Sequence, residues 1–527
     1  MEPKKYLARL ESLESDRRNW EYHWQEIAEV VFPRRSDFVT SVVRGERKNT
    51  KIVDSTAVFA NELLGAGLHG MLTNPASKWF KLRLSNPRLM ENTDVLSWLE
   101  EVERLIYLSL NSPRASFASH MHELYLDLTA FGTGVMFIGE GEKDGELLFS
   151  TKHLKECYLA EDMQGFIDTV YRKFEYTVRQ IVQKWGYDKA GKAVQKKYDE
   201  GKFDEKYDVI HAVQPRKDRD PNSLDRSQMP VASVYMLAEG EVILDEGGFE
   251  EMPYVAPRWS KVSGEIYGRG PGVSSLPDVK MLQQMAKTVI KAAQKIVDPP
   301  LLVPDDGALN PVRTVPGGLN FRRSGSDPIT PLQTGGNIPI GMEMMNEVRL
   351  RIRSAFYIDQ LQLQQGPQMT ATEVLQRQEE KLRMMGPVLG RLQSEMLGPM
   401  VERVFNILNR NNKFPPAPEI LDGAEYDVEY VSPLARAQRQ SEANGLLRVF
   451  EIGSPVIQLQ PESAQIINGE DTIRYLGDLF GVPNSLFKSP EEMAQIKQQQ
   501  QEMMQLQQGL QAAGQGADVL QKLTQGA

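Results

Sequence analysis

GRGPGVSSLPDVKMLQQMAKTVIKAAQKIVDPPLLVPDDG, residues 268–307, is the stretch on which the reading of the whole chain turns. Ser274 and Ser275 offer a helix cap, Pro277 suits a first turn, and Asp278 complements the positive end of the helix dipole. The pattern predicts a helix over 274–298, stopped by Pro299-Pro300. At 1.5 Å per residue it would be ~36 Å long. Lys280, Lys287, Lys291 and Lys295 recur at steps of seven, four and four, which puts them in a stripe on one face. From 299 to 341, Pro and Gly interrupt the chain every few residues, predicting short strands and turns, with Asp305 and Asp306 exposed in one of them. A second helix is expected over 342–361, carrying Arg349 and Arg353 four apart with Arg351 between. Spacing alone also fits an ordinary helical hairpin with solvated charged faces.

The next segment, 360–369, is a polar turn. It holds Gln360, Gln362, Gln364, Gln365 and Gln368 and no charged side chain, and it breaks at Gly366-Pro367. Thr370 and Glu373 then form a capping box that opens a helix predicted over 370–413. Pro387 and Pro399 each remove a backbone donor, so that helix should be kinked or broken at both. Beyond Pro415-Pro416 come a strand-like YDVEYV and helices near 433–452, 461–480 and 489–508. The last 33 residues hold 12 of the 36 glutamines, a low-complexity end that reads as helix or coil. Toward the N-terminus, helical periodicity covers 4–31, a stretch capped by Asp54 and Ser55 and running to about Thr73, then 93–110 and 116–131. Between about 135 and 260, short alternating runs separated by Gly, Asp and Pro read as hairpin-like strands, with one helix near 177–186. The fold class is α+β, mainly helical.

Composition narrows the function classes. At 527 residues, two to four domains are expected, and 41% hydrophobic residues suffice for packed cores. Sixty-one basic against seventy-one acidic residues, a formal charge of −10, argue against a free-standing tight nucleic-acid binder. The single cysteine, Cys157, excludes a disulfide framework and a cysteine-rich zinc site. No apolar run is long enough for a membrane span, and the charged start has no signal-peptide core, so a soluble intracellular chain is expected. All six histidines lie within the first 211 residues. His120 and His122 are two apart, which on a helix does not share a face, so they make a poor metal pair. Gly186 to Lys192 approaches a P-loop, but Ala193 replaces the magnesium-binding hydroxyl and the segment follows a helical pattern. A helix C-cap at Gly186 explains it better. Gly268, Gly270 and Gly272 lack the third glycine of a dinucleotide fingerprint, because Val273 follows. No catalytic constellation, metal site or cofactor site emerges.

Several runs resemble a known family: DSTA (54–57), GMLTNPASKWF (70–80), AFGTGVMFI (130–138), EIYGRGPG (265–272), AAQKIVDPPLLVPDDG (292–307), PGGLNF (316–321), QMTATEVLQRQEEKLR (368–383), GPVLGRLQSE (386–395) and VEYVSPLARAQR (428–439). They are similar to the portal, or head–tail connector, proteins of short-tailed double-stranded DNA bacteriophages. The resemblance spans about 54 to 440, in the family's order. It implies a portal-type fold that assembles into a closed ring, a homo-oligomer usually of twelve copies, at one capsid vertex of the virion. It assigns 1–273 to a wing, 274–298 and 342–361 to two stem helices, and 299–341 to a clip. It further assigns 362–369 to a tunnel loop, 370–413 to a long kinked wing helix, 414–490 to a crown and 491–527 to a helical barrel or disordered tail. Genome packaging and ejection would pass non-specific, sliding double-stranded DNA through the channel. On this resemblance Lys280, Lys287, Lys291, Lys295, Arg349, Arg353 and the five glutamines of 360–368 would line the tunnel, and Asp305 and Asp306 would mark the partner surface. The partners implied are the terminase large subunit, which carries the ATPase, a tail adaptor protein, and the major capsid and scaffolding proteins, with assembly in the host cytoplasm. No enzyme activity, cofactor or membrane is implied. The alternative within the same setting is a tail or collar adaptor without a packaging role. Weak, exchangeable phosphate contacts suit a channel, because each firm phosphate contact adds affinity and retards sliding. The absence of any base-reading motif agrees with sequence-independent passage.

Overall fold

The computed structural model describes residues 3–40, 45–86, 89, 92–141, 145–221, 223, 225–303, 311–314, 319–321, 324–325, 327–332, 338–361, 385–421, 426–430, 443, 445–455, 468–480 and a few single residues up to 503. Mixed helix and sheet is observed, as expected for an α+β chain. In chain order the helices are α1 (Pro3–Val30), α2 (Thr56–Leu72), α3 (Thr93–Leu110), α4 (Phe117–Phe131), α5 (Val178–Trp185), α6 (Gly191–Asp199), α7 (Pro271–Val297), α8 (Ile338–Ala355), the single turn α9 (Ile358–Leu361), α10 (Gly386–Leu392) and α11 (Gly398–Arg410), with a further helix over Gly469–Phe480. The strands are β1 (Phe80–Leu84), β2 (Val135–Glu140), β3 (Leu147–Lys152), β4 (Cys157–Glu161), β5 (Ile167–Thr177), β6 (Lys206–Pro215), β7 (Val231–Leu237), β8 (Val242–Phe249), β9 (Tyr254–Val255), β10 (Leu301–Leu302), β11 (Thr330–Pro331) and β12 (Tyr426–Tyr430). The chain divides into two compact units, Met1–Pro75 with Asn111–Val404, and Ala76–Leu110 with Phe405–Ala527.

In the first unit, β4 to β8 form a five-stranded antiparallel sheet in sequence order, each strand paired with the next. Both faces are covered. Tyr6, Leu10 and Leu13 of α1, at helical spacing, pack on Tyr158, Tyr171, Ala212 and Val234. The opposite face takes Val178 and Ile181 of α5 and Val194 of α6 against Phe174, Val209 and Leu244. Arg17 of α1 is buried, yet its guanidinium donates to the carbonyls of Leu154, Lys155 and Cys157 at 2.9, 2.8 and 2.6 Å and to Glu21. Those bonds offset the cost of burying the charge. A smaller sheet runs in the order β3-β2-β9. In the second unit, β1 pairs antiparallel with β12, Phe80 opposite Tyr430. The Tyr107 hydroxyl of α3 accepts from the amides of Trp79 and Phe80 at 2.6 and 2.8 Å, which fixes the start of β1.

Several boundaries move from their expected places. Helix α7 starts at Pro271 rather than at a Ser274/Ser275 cap. Pro271 has no N–H to satisfy and its φ is already helical, so it opens the helix, and Pro277 falls inside it. Helix α8 starts four residues early at Ile338 and stops at Ala355. Tyr357 takes a positive φ of 58°, a conformation a helix cannot contain, and α9 follows. Pro387 sits in the first turn of α10, and ahead of Pro399 a five-residue π-turn, Gln393–Leu397, separates α10 from α11. The part of the expected 370–413 helix before residue 385 lies outside the described residues.

Candidate functional site

The start of α7 is fixed by a close backbone crossing. Gly132, with φ of +81°, caps the C-terminus of α4 through an N–H bond to Leu128 O at 2.8 Å. Gly268, Gly270 and Gly272 cross this end of α4. A Cβ at Gly272 would stand 2.3 Å from Ala130 O, one at Gly268 2.4 Å from Gly132 O, and one at Gly270 2.8 Å from Leu128 O. Only glycine permits that approach. Gly268 N–H donates to Thr133 Oγ1 at 2.8 Å, and Trp259 N–H to Gly132 O at 2.9 Å. The runs AFGTGVMFI and EIYGRGPG, far apart in sequence, are thus two halves of one joint.

A second joint lies beside it. Arg258 is fully buried, and its backbone N–H and Nε both donate to Glu395 Oε2 at 3.0 Å, while Nη2 donates to Glu395 Oε1 at 2.9 Å. Nη1 reaches Glu161 at 3.0 Å, and Nη2 also bonds Gly165 O. Glu395 stands in the π-turn between α10 and α11. The widened turn brings its carboxylate to a buried guanidinium, a pairing that nothing in the spacing of the sequence disclosed.

Helices α7 and α8 pack along Val279, Leu282 and Ala286 of the first and Met345, Val348 and Ile352 of the second. Gln283 of α7 accepts the amides of Val53 and Asp54 at 2.7 and 2.9 Å and donates to Asp54 O at 2.6 Å. The Asp54 carboxylate accepts from Thr56 N–H at 2.9 Å and from Arg349 Nε and Nη2 at 2.9 and 2.7 Å. Burial would raise its pKa, but the bonds from Thr56 and Arg349 outweigh that and lower it below the usual carboxylate value. Arg349 is therefore committed to an ion pair at the edge of the helix pair. Lys280, Lys287, Lys291 and Lys295 are all exposed, and Lys280 pairs with Glu26 of α1 at 2.8 Å. Arg353 is exposed near the end of α8. Gln360 falls in α9, and Gln362, Gln364, Gln365 and Gln368 lie outside the described residues, as do Asp305 and Asp306. Of the 299–341 insert, the two-residue strands β10 and β11 are paired, Leu301 opposite Pro331.

The lower half of the helix pair exposes apolar side chains. Ile290, Ile296 and Val297 of α7 and Ile340, Met342, Met344 and Leu350 of α8 are each about half exposed or more. Chemistry at other positions is quiet. Gly186 caps α5 with φ of +89° and N–H bonded to Val182 O at 2.9 Å, as the C-cap reading requires. His120 Nδ1 accepts from Thr151 N–H, while the ring of His122 meets His69 of α2, 6.3 Å away. Among the described residues, no group of three or more His, Cys, Asp or Glu is disposed to hold a metal ion. Cys157 is buried, which pushes its thiol up to about 12 and keeps it unreactive. No helix among the described residues is long and apolar enough to cross a membrane.

The family model described as Bacteriophage head to tail connecting protein matches residues 3–487. The chain is 35% identical to the probable portal protein of Bordetella phage BPP-1, over 99% of this chain and 95% of the relative. It is 32% identical to the portal protein of Salmonella phage epsilon15, over 99% and 96%, and 22% identical to that of Enterobacteria phage T3, over 78% and 76%.

Proposed function

Because the chain belongs to the bacteriophage head-to-tail connecting protein family, we propose that it builds a closed portal ring, of about twelve copies by family resemblance, through which the genome is packaged and ejected. The observation that carries this reading is the exposed apolar side of the α7–α8 pair. Apolar surface of that kind is a contact surface, and a heterologous contact whose rotation closes makes a ring. In the ring, α7 and α8 are the stem, with Lys287, Lys291, Lys295 and Arg353 toward the channel. There they meet phosphate weakly enough for DNA to slide. Arg349, bonded to Asp54, holds the stem to α2, and Lys280 is drawn to α1 by Glu26. The glutamine-rich 360–368 segment forms the narrow point, and the 299–341 insert, with Asp305 and Asp306, docks the terminase large subunit and later the tail adaptor. The major capsid and scaffolding proteins surround the ring in the virion, and the chain itself carries out no catalysis. The helix–insert–helix order and the portal names of the relatives favour this over a tail or collar adaptor. Negative-stain imaging with mass photometry of the purified chain tests it. Rings with a central hole are expected, and only monomers or dimers at micromolar concentration under every condition tried would refute the proposal.

A further inference from the structure

The cross-strand register of the five-stranded sheet sets Cys157, Arg172, His211, Tyr235 and Asp245 side by side, one from each of β4 to β8. His211 is buried, stacked on Tyr235 with ring centres 3.9 Å apart. Its ring nitrogens face Tyr254 Oη at 2.9 Å and Ser233 Oγ at 3.0 Å. Lys184 reaches over the row from α5, its Nζ 4.3 Å from the centre of the Tyr235 ring and 4.7 Å from that of Trp185. Lys152 arrives from β3 of the smaller sheet. Burial holds His211 well below its ordinary pKa, and the charges of Lys184, Arg172 and Lys152 push the same way, so it is neutral beneath three cations.

Charge balance around this row is incomplete. Glu156 bonds Arg172 Nε at 2.8 Å, and Asp245 pairs with Lys189 at 3.7 Å. That leaves Lys152 and Lys184 without a carboxylate. Lys152 Nζ donates to Ser150 Oγ at 2.6 Å, while Lys184 Nζ and the two Nη groups of Arg172 have no hydrogen-bond acceptor among the described residues. Holding three cations together against mutual repulsion and partial burial is costly. An anion that accepts from the open guanidinium fork and both ammonium groups removes that cost. We propose that Lys152, Arg172 and Lys184 form a binding site for a phosphate-class oxyanion, on the face of the sheet that carries His211. Two uncompensated lysines match a doubly charged ligand, and phosphate monoanion loses its next proton near pH 6. The same chemistry is available from free phosphate and from a nucleic-acid backbone. The site is separate from the α7–α8 helix pair and does not depend on the channel reading.

Calorimetry of the full-length protein in phosphate-free buffer, with inorganic phosphate in one arm and a short blunt DNA duplex in the other, tests the assignment. Lys152→Met and Lys184→Met should each weaken binding by about tenfold or more. Lys184→Arg should retain it, and far-UV melts would show that each variant is folded. Burial lowers the Lys152 pKa to about 8, with Arg172 and Lys184 pushing the same way and Cys157 and Glu156 opposing. Affinity should therefore fall as pH rises through about 8, where Lys152 loses its charge. Saturable binding of free phosphate with that pattern establishes a small-anion site. Binding of duplex alone, with the same losses in the variants, assigns the site to the nucleic-acid backbone. No saturable binding of either probe, or binding unchanged in folded Lys152→Met and Lys184→Met, overturns the proposal.

Discussion

Replacing Gly272 with alanine puts a single methyl group into the joint that positions α7. The added Cβ would stand 2.3 Å from Ala130 O and 3.0 Å from Ala130 C and Cα. Ordinary contact begins at roughly 3.5 Å, so the overlap with the oxygen exceeds 1 Å. The obstructing atoms are backbone at the end of α4, so no side-chain rotation relieves it. Relief requires α7 to move off α4, and overpacking of this kind costs ~1–3 kcal/mol. Gly390→Ala is the matched control. Gly390 lies inside α10, and a methyl group added there would have no atom within 4 Å, so alanine should stabilise by ~0.5–1 kcal/mol. Thermal unfolding followed by far-UV circular dichroism should move down by a few degrees for Gly272→Ala and not for Gly390→Ala. Mass photometry of the same samples reports whether displaced α7 helices still assemble. A Gly272→Ala protein that melts at or above wild type, or a Gly390→Ala protein that loses as much, would falsify the steric argument.

Glu395→Ala should be more damaging, because it leaves the Arg258 guanidinium buried with only the partly exposed Glu161 beside it; a loss of ~3–5 kcal/mol is expected, and a melting temperature within a degree or so of wild type would contradict it. Asp37 carries a pH signature. The hydrogen bond from His153 lowers its pKa to about 2, burial opposes, and the charges of His153, Lys48 and Lys155 add to the lowering. A depressed carboxylate stabilises the fold above its unfolded value near 3.8, and that contribution is lost as pH falls toward 2. After discounting for solvent it amounts to ~1–2 kcal/mol, so Asp37→Asn should flatten the acid limb of a urea-denaturation pH series; identical limbs would count against it. Under the channel proposal, changing Gln362, Gln364 and Gln365 together to lysine should slow DNA packaging in vitro while rings still assemble, and a normal packaging rate would exclude a narrow point at that segment.

The helix pair was legible because its signals are local. The 7, 4, 4 lysine spacing and the Pro299-Pro300 stop need no partner to be read, and α7 ends within a residue of its expected place. Its start was misplaced by three residues because the deciding contact is remote: Gly268 to Gly272 lie on Gly132, and no window of sequence around 274 contains that neighbour. Arg349 shows the same limit from the side of function. Spacing puts it on a helix face with Arg353, yet its partner is Asp54, 295 residues away, which turns a candidate tunnel residue into an anchor. The runs that carry the family resemblance are, wherever they are described, pieces of such joints. DSTA supplies Asp54 to Arg349, AFGTGVMFI and EIYGRGPG form the glycine crossing, and GPVLGRLQSE supplies Glu395 to Arg258. That distribution has a physical reason. A channel for sequence-independent DNA asks little of its lining, since weak cations and amides suffice at many positions. It asks much of the joints that aim its helices, where a methyl group or a missing carboxylate costs several kcal/mol. The signature of such a chain is therefore written in the residues that hold the helices, not in those that meet the cargo.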